Sequence, residues 1–146
     1  MREIIEAAVT AIDTIPDLVL SPAAVNALNT PNTVAERVYS VTMQTENSDK
    51  FRDRQPAGHM RYEHALTVSV LCRIFPNDQM SAYKDAIDVE ELIIQKLLVQ
   101  ADFPAFRVLY DRTRRNFPRP SVGGTAGGEY VLLEIEFSIE QSTPLP

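Results

Sequence analysis

Side chains alternate between two kinds from Arg61 to Phe75, and the segment contains no proline or glycine. One set is almost wholly apolar and comprises His64, Leu66, Val68, Val70, Cys72 and Ile74. The side chains between them form the other set, which is mixed in character and becomes apolar toward Phe75. A period of two with many β-branched residues predicts a β-strand with one face on a core. Because an unpaired edge of this length would invite aggregation, we expect this strand to lie in the middle of a sheet.

Length and composition predict one folded domain. The chain has 146 residues, 45% of them hydrophobic, and we assign residues 1–141 to the domain and 142–146 to a short tail. No apolar run approaches the ~20 residues of a membrane span, and no signal-peptide pattern follows Met1, so we expect synthesis in the cytoplasm without membrane contact. The single cysteine, Cys72, predicts neither an internal disulfide nor a metal cluster.

The charges are distributed unevenly along the chain, whose net charge is −6. Basic residues concentrate in residues 101–120, which contain Arg107, Arg112, Arg114, Arg115 and Arg119. Residues 121–146 contain four glutamates and no basic residue. One interpretation is an ordinary solvated surface. The other is that these surfaces meet on neighbouring copies, which would place Arg112, Arg114, Arg115 and Arg119 in a subunit interface. The overall acidity argues against sequence-specific DNA binding.

The remaining patterns predict two long helices and three further strands. The helices are Arg2–Ile15, which Pro16 ends, and a segment that begins between Gln79 and Asp85 and runs to about Gln100. The further strands are Arg37–Thr45, Phe106–Arg115 and Glu129–Gln141, and a short helix is plausible over Ala23–Leu28. The order helix, strand, strand, helix, strand, strand predicts an α+β domain, with a mainly antiparallel four-stranded sheet and two helices on one face.

Four carboxylates lie in the second long helix, at Asp85, Asp88, Glu90 and Glu91. We expect them to occupy its first turns, where the helix dipole favours anions. The alternative is a metal site, but their spacing is not that of an oxygen-ligated ion. The sequence therefore predicts no bound metal here.

Two long polar segments join the paired strands. Glu46–His59 shows neither the period of a helix nor that of a strand, and it contains Phe51 between charged residues. We therefore expect a long loop in which Phe51, Arg52 and Arg54 contact a partner. The alternative is that Phe51 folds back on its own domain. The glycine-rich segment Gly123–Gly128 precedes a strand and has no nearby lysine, so we expect a mobile loop rather than a phosphate-binding loop.

No combination of residues predicts catalysis. His59 and His64 lack a Cys or Ser partner in a recognisable motif, and we expect His64 to be a hydrogen-bonded core residue. Cys72 lies on the same apolar strand face and is best explained as a small buried hydrophobic residue. We therefore expect no enzyme activity, no catalytic residues and no cofactor.

The arrangement of these segments resembles that of the tail terminator (tail completion) proteins of long-tailed bacteriophages. The resemblance rests on the strand Arg37–Thr45, the long polar loop, the strand Arg61–Phe75, the helix with the sequence Asp85-Ala-Ile-Asp-Val-Glu-Glu, and the strand Glu129–Gln141 after a glycine-rich loop. It implies a structural virion protein of the tail or neck, whose subunits form a hexameric ring. It also implies that the ring caps the tail tube, joins the head–tail connector or stopper protein, and lets DNA pass without specific binding.

Two other functions remain open on the sequence. One is a different head–tail joining protein of the neck, which would share the small size and the loop-rich sheet. The other is a small-molecule-binding regulatory α+β domain, for which a sizeable dry pocket in a monomer would be expected.

A ring around DNA would give a role to the glutamates of the last strand. Glu134, Glu136 and Glu140 repeat along one face of Glu129–Gln141, opposite its apolar face. Facing a channel, these carboxylates would repel phosphate, and their field would multiply with the number of subunits. The alternative is that they form the wet face of a half-buried strand or pair with the arginines of residues 101–120.

Overall fold

A computed structural model describes residues 2–21, 37–46, 59–74, 79–99, 106–116 and 129–144. Two helices and five strands lie within these ranges. The helices are α1 (Arg2–Ile12) and α2 (Gln79–Val99). The strands are β1 (Val19–Leu20), β2 (Arg37–Glu46), β3 (His59–Ile74), β4 (Phe106–Asn116) and β5 (Glu129–Pro144). The predicted short helix Ala23–Leu28, most of the predicted polar loop and the glycine-rich segment lie outside the described residues.

The sheet has five strands in the order β1-β2-β3-β5-β4. The fold is α+β, but the predicted mainly antiparallel four-stranded sheet is wrong, because β1 adds a fifth strand that pairs parallel to β2 and makes the sheet mixed. The backbone N–H of Ser21 donates to the carbonyl of Tyr39 over 2.8 Å and holds β1 in place. A two-residue strand has no period, so the sequence pattern carried no sign of it.

The strand β3 is the middle of the sheet, as its alternation predicted. It pairs antiparallel with β2 on one side and with β5 on the other. Its pairing with β5 runs from His59↔Pro144 to Ile74↔Glu129 without a register shift. The long register carries β5 three residues past its predicted end at Gln141, because β3 offers a pairing partner as far as Pro144.

Both helices pack on one face of the sheet and form the main core with it. The strand side chains in this core are those predicted to be buried on β3 and β5, including Leu66, Val68, Val70, Cys72, Val131, Leu133, Ile135, Phe137 and Ile139. α1 contributes Ile4, Ala8, Ala11 and Ile12, and α2 contributes Ala86, Val89, Ile93 and Leu97. A smaller cluster of Val38, Leu71 and Leu132 lies apart from it. This cluster explains why the second face of β3 becomes apolar toward its end.

The helix α1 ends at Ile12, three residues before the predicted boundary. Beyond it, the N–H of Ile15 bonds the carbonyl of Ile12 over 2.9 Å, which is the tighter spacing of a closing turn. Asp17 then takes a left-handed conformation, with φ of 63°, and the chain turns into β1. Aspartate tolerates this region better than most residues because its short side chain bonds locally.

The tyrosine of β2 ties α1 to the sheet. The hydroxyl of Tyr39, a residue with no exposed surface, donates to Asp13 Oδ1 over 2.6 Å. Burial and this hydrogen bond to the Asp13 carboxylate raise the pKa of Tyr39 well above its usual value. The contact fixes the turn after α1 against the middle of β2.

The start of the second helix lies within its predicted range, whereas its carboxylates lie beyond its first turn. α2 begins at Gln79 and has no acidic residue in its first turn, so the interpretation of its carboxylates as first-turn residues is wrong. Leu92 and Leu98 of α2 are 41% and 45% exposed although their side chains are apolar. The buried stripe contains Ala86, Val89, Glu90, Ile93 and Leu97. A helix with apolar residues on several sides leaves the choice of face to the packing.

Neither described helix is long and apolar enough to cross a membrane.

Candidate interaction surface

The face of the sheet opposite the helices, called here the open face, is covered by no described helix. It displays alternate residues of β3, β5 and β4, including Glu63, Thr67, Glu134, Glu136, Glu140, Arg107, Arg112 and Arg114. Glu136 lies near its centre, opposite Thr67 of β3 on one side and Arg112 of β4 on the other. The open face is therefore a polar surface on which β4 supplies the basic groups and β5 the acidic ones.

Two arginines of β4 bind Glu136. Arg112 Nε donates to Glu136 Oε2, and Arg114 Nη2 lies 3.8 Å from Glu136 Oε1. The hydrogen bond and the charge of Glu136 raise the pKa of the Arg112 guanidinium. Both arginine side chains remain more than half exposed, whereas that of Glu136 is 25% exposed. The carboxylate thus lies beneath the guanidinium groups.

A register shift in β4 brings Arg112 to this position. Tyr110 pairs with Phe137 and Arg112 with Glu136, so Asp111 is the extra residue of a β-bulge. Asp111 Oδ2 accepts a hydrogen bond from Ser138 Oγ over 2.6 Å. The bulge turns Asp111, Arg112 and Arg114 toward β5. In a β4 strand without the bulge, strict alternation would have placed Asp111 and Arg112 on opposite faces of the sheet.

A buried ion pair connects β4 to α2 on the helix side of the sheet. Arg115 donates from Nε and Nη2 to Glu90 Oε2, over 3.1 and 2.8 Å. The Glu90 side chain is 7% exposed and that of Arg115 is 41% exposed. The hydrogen bond to Glu90 raises the pKa of Arg115, although partial burial acts in the opposite direction. Glu90 is therefore a structural partner of β4, a role that its sequence position among other acids did not reveal.

The structure brings together two sets of residues that the sequence analysis treated separately. Arg112 and Arg114, predicted at a subunit interface, lie beside Glu134 and Glu136, predicted to face a channel. Asn116 Nδ2 also donates to Glu134 Oε1 over 3.4 Å. For Glu136 the geometry is that of the alternative interpretation, in which the glutamates pair with the arginines of the same chain.

The other predicted residues are not part of this arrangement. Glu140 lies opposite Glu63 of β3 and Arg107 of β4. Phe51, Arg52, Arg54 and Arg119 lie outside the described residues, so their predicted contacts stay predictions.

A depression of about 400 Å³ opens on this face beside the bulge. Its lining consists of Ala65, Thr67, Asp111, Arg112, Glu136 and Phe137. Because Asp111 and Arg112 are already bonded to Ser138 and Glu136, the polar groups around it hold one another. In a small-molecule site a few polar groups converge on the ligand, whereas here Asp111 and Arg112 are bonded to groups of the protein.

Among the described side chains of β3, two titratable ones are buried. His64 is fully buried on β3, and Cys72 is a buried free thiol whose pKa burial raises to about 11. A thiol with a raised pKa is a poor nucleophile at neutral pH. Across the described ranges, His, Cys, Asp and Glu do not come together in a group of three that could hold a metal ion.

Exposed apolar side chains lie at both edges of the sheet. Val19 and Leu20 of β1 are 52% and 45% exposed, and Leu109 and Tyr110 of β4 are 38% and 40% exposed. The Tyr110 ring meets Phe137 edge to face, with centroids 6.0 Å apart. Sequence reasoning missed these residues because β1 was not predicted and because exposure at an edge depends on which strands are neighbours.

Comparison of the sequence with models of known protein families and with curated proteins finds no match for this chain.

Proposed function

We propose that this protein is a structural component of a phage tail, a terminator whose subunits form a ring that caps the tail tube and joins it to the head connector. The proposal rests on the resemblance in the order of strands and helices. The described part of the chain provides two supporting observations, which concern the ends of the sheet and the polar groups of the open face.

The two segments that join the long strand pairs leave the sheet at opposite ends. Residues 47–58 connect β2 to β3 at the end where His59 pairs with Pro144. Residues 117–128 connect β4 to β5 at the other end, where Ile74 pairs with Glu129. A ring that must contact a tube on one side and a connector on the other needs connecting segments of this kind at both ends.

The polar groups of the described surface support a binding role more than a catalytic one. The charged residues near the centre of the open face hold one another across β4 and β5, and three of them, Asp111, Arg112 and Glu136, line the depression there. In this proposal the protein acts through its contacts, without catalytic residues or a cofactor. The alternative of a neck protein that binds only the connector shares these features.

The test is to mix the purified protein with tail tubes assembled from the cognate tube protein and to examine them by electron microscopy and native mass spectrometry. We expect a ring-shaped cap at one end of each tube and a mass that corresponds to several copies of this chain. A matched variant, Phe51→Ser, should weaken capping if the predicted contact of that segment is correct. Binding to the connector alone would favour the neck protein, and a chain that binds neither would contradict the proposal.

A further inference from the structure

The two edges of the sheet are formed by strands of different length. Strand order places β1 at one edge and β4 at the other, and in the described ranges each of them pairs with a neighbour on one side only. An edge strand presents backbone donors and acceptors that are available to another chain. β4, Phe106–Asn116, is the longer of the two edges.

The charges near these two edges have opposite signs. Residues 2–21, which contain α1 and β1, have one basic residue, Arg2, and four exposed acids, which are Glu3, Glu6, Asp13 and Asp17. β4 has one acid, Asp111, and four exposed arginines, which are Arg107, Arg112, Arg114 and Arg115. The α1–β1 segment is therefore acidic, and β4 is basic.

Internal ion pairs do not remove the basic character of the β4 edge. Glu136 and Glu90 have side chains 25% and 7% exposed, beneath arginines that are 41% to 61% exposed. Each guanidinium carries five N–H donors, and the internal bonds use only one or two of them. The outermost groups at this edge are thus positively charged donors.

We propose that the β4 edge of one copy binds the α1–β1 end of the next copy, so that the chain associates head to tail. The next copy would be turned so that its acidic α1 side chains meet the open-face arginines of β4, and Leu109, which lies on the same face as these arginines, would pack against the exposed side chains of Val19 or Leu20. A contact between two different surfaces of the same molecule repeats around an axis and closes into a ring when the rotation allows. The inference rests on the ring assembly of the proposed function and identifies the surfaces that build it.

The competing arrangement, in which two β4 strands pair with each other, is disfavoured on charge. An antiparallel pairing of two β4 strands would bring the four exposed arginines of each copy together along one seam, and like charges facing each other destabilise a sheet pair. The bulge at Tyr110 and Arg112 also interrupts the regular ladder that such a pairing needs. A second copy presenting its acidic end avoids the repulsion.

The test uses two charge-reversed proteins and their mixture. One carries Arg107→Glu and Arg114→Glu, and the other carries Glu3→Lys and Glu6→Lys. Arg114 and Glu6 each belong to an exposed ion pair, with Glu136 and Arg2, and none of the four residues makes the Arg115–Glu90 pair or the Arg112 contact. We expect each protein alone to associate at least tenfold more weakly than the parent, measured as the concentration for half assembly in sedimentation velocity at low salt. Mixed in equal amounts, they should assemble again, because each acidic β4 edge then meets a basic α1.

A control variant reverses two other exposed acids, Asp88→Lys and Glu91→Lys on α2, and should assemble like the parent. Recovery on mixing also shows that both reversed proteins are folded. The proposal would be overturned by reversed proteins that assemble alone like the parent, by a mixture that does not recover, or by a parent that stays monomeric at every concentration with and without tail tubes. Assembly through these surfaces without tube capping would contradict the proposed function and leave the interface standing. Capping that the reversals do not affect would contradict the interface alone.

Discussion

At the scale of single residues, Glu90 shows how a charge in a core depends on one partner. Its carboxylate is nearly inaccessible to water and accepts two hydrogen bonds from Arg115. The pair joins α2 to the edge strand, which otherwise contacts the helix layer through partly buried side chains such as Val108. Removing one member of such a pair costs more than removing both, because the remaining charge stays buried.

Arg115→Ala should lower the free energy of unfolding by about 3 kcal/mol, at the low end of the range for buried pairs because water reaches Arg115. The double variant Glu90→Leu with Arg115→Leu should recover most of this loss, since no buried charge remains. Arg114→Ala is the matched control and should cost less than ~1 kcal/mol, as its ion pair is long and exposed. Guanidinium chloride unfolding measures all three. An Arg115→Ala loss no larger than that of the control would show that Glu90 needs no partner.

The buried thiol of Cys72 makes a second residue-scale prediction, which concerns alkaline pH. Burial raises the pKa of Cys72 from 9.0 to about 11, with a smaller opposing effect of Arg37. Because the folded state holds the thiol proton more tightly, this contribution to stability is complete below pH 9 and is lost as the pH rises toward 11. Tyr39, whose pKa is also raised, acts in the same direction at higher pH.

Between pH 8 and pH 10, the parent should lose about 1 kcal/mol more unfolding free energy than Cys72→Ala, given ~1.4 kcal/mol per pKa unit. Taking the difference between the two proteins cancels the titration of the other groups. Denaturant unfolding at the two pH values supplies the measurement. Equal losses in both proteins would mean that Cys72 keeps its ordinary pKa in the folded state.

At the scale of elements, β4 is attached to β5 by more than its backbone ladder. The bulge at Tyr110 and Arg112 aligns two arginines with Glu136, and Ser138 bonds the bulged Asp111. These contacts are on the open face, while Tyr110 meets Phe137 on the other face. The edge strand is thus held from both sides of the sheet.

Glu136→Lys should destabilise the protein by about 1–2 kcal/mol, because a third positive charge replaces the partner of Arg112 and Arg114. Glu136→Gln, which keeps an acceptor for Arg112, should cost less than ~1 kcal/mol. The difference in unfolding free energy between Glu136→Lys and Glu136→Gln should shrink in 1 M salt, where the Debye length is ~3 Å. Glu134→Lys is the comparison, because the hydrogen bond that Glu134 accepts among the described residues is the long one from Asn116. Thermal unfolding that ranks Glu134→Lys as the more damaging change would contradict this account of the edge.

At the scale of the whole molecule, opposite charges and exposed apolar side chains at the two sheet edges make the chain suited to head-to-tail association. The charge-reversal experiment tests this, and the capping experiment tests the proposed terminator function separately. If both succeed, the connecting segments at the two ends of the sheet would face along the ring axis. The sheet edges would then form the contacts around it.

The sequence by itself was enough to predict the long regular helices and strands. Alternation over β3 and β5 and the helical stripe of α1 are local properties, because a period of two or 3.6 follows from the backbone geometry of each element. These patterns therefore identified the central strand and the buried faces of β3 and β5, and placed the strand boundaries within a few residues. They could not reveal β1, whose two residues have no period and form a strand only because β2 offers a partner.

The arrangement of charges was decided by tertiary structure. The four acids of α2 look alike in the sequence, yet Glu90 alone is buried, because the packing of α2 turns it toward Arg115 of β4. Glu136 and Arg112 are distant in the chain and meet only because β4 pairs with β5 in a register that a bulge shifts by one residue. Such contacts depend on which elements are neighbours and in what register, and a sequence pattern confined to one element does not contain that information.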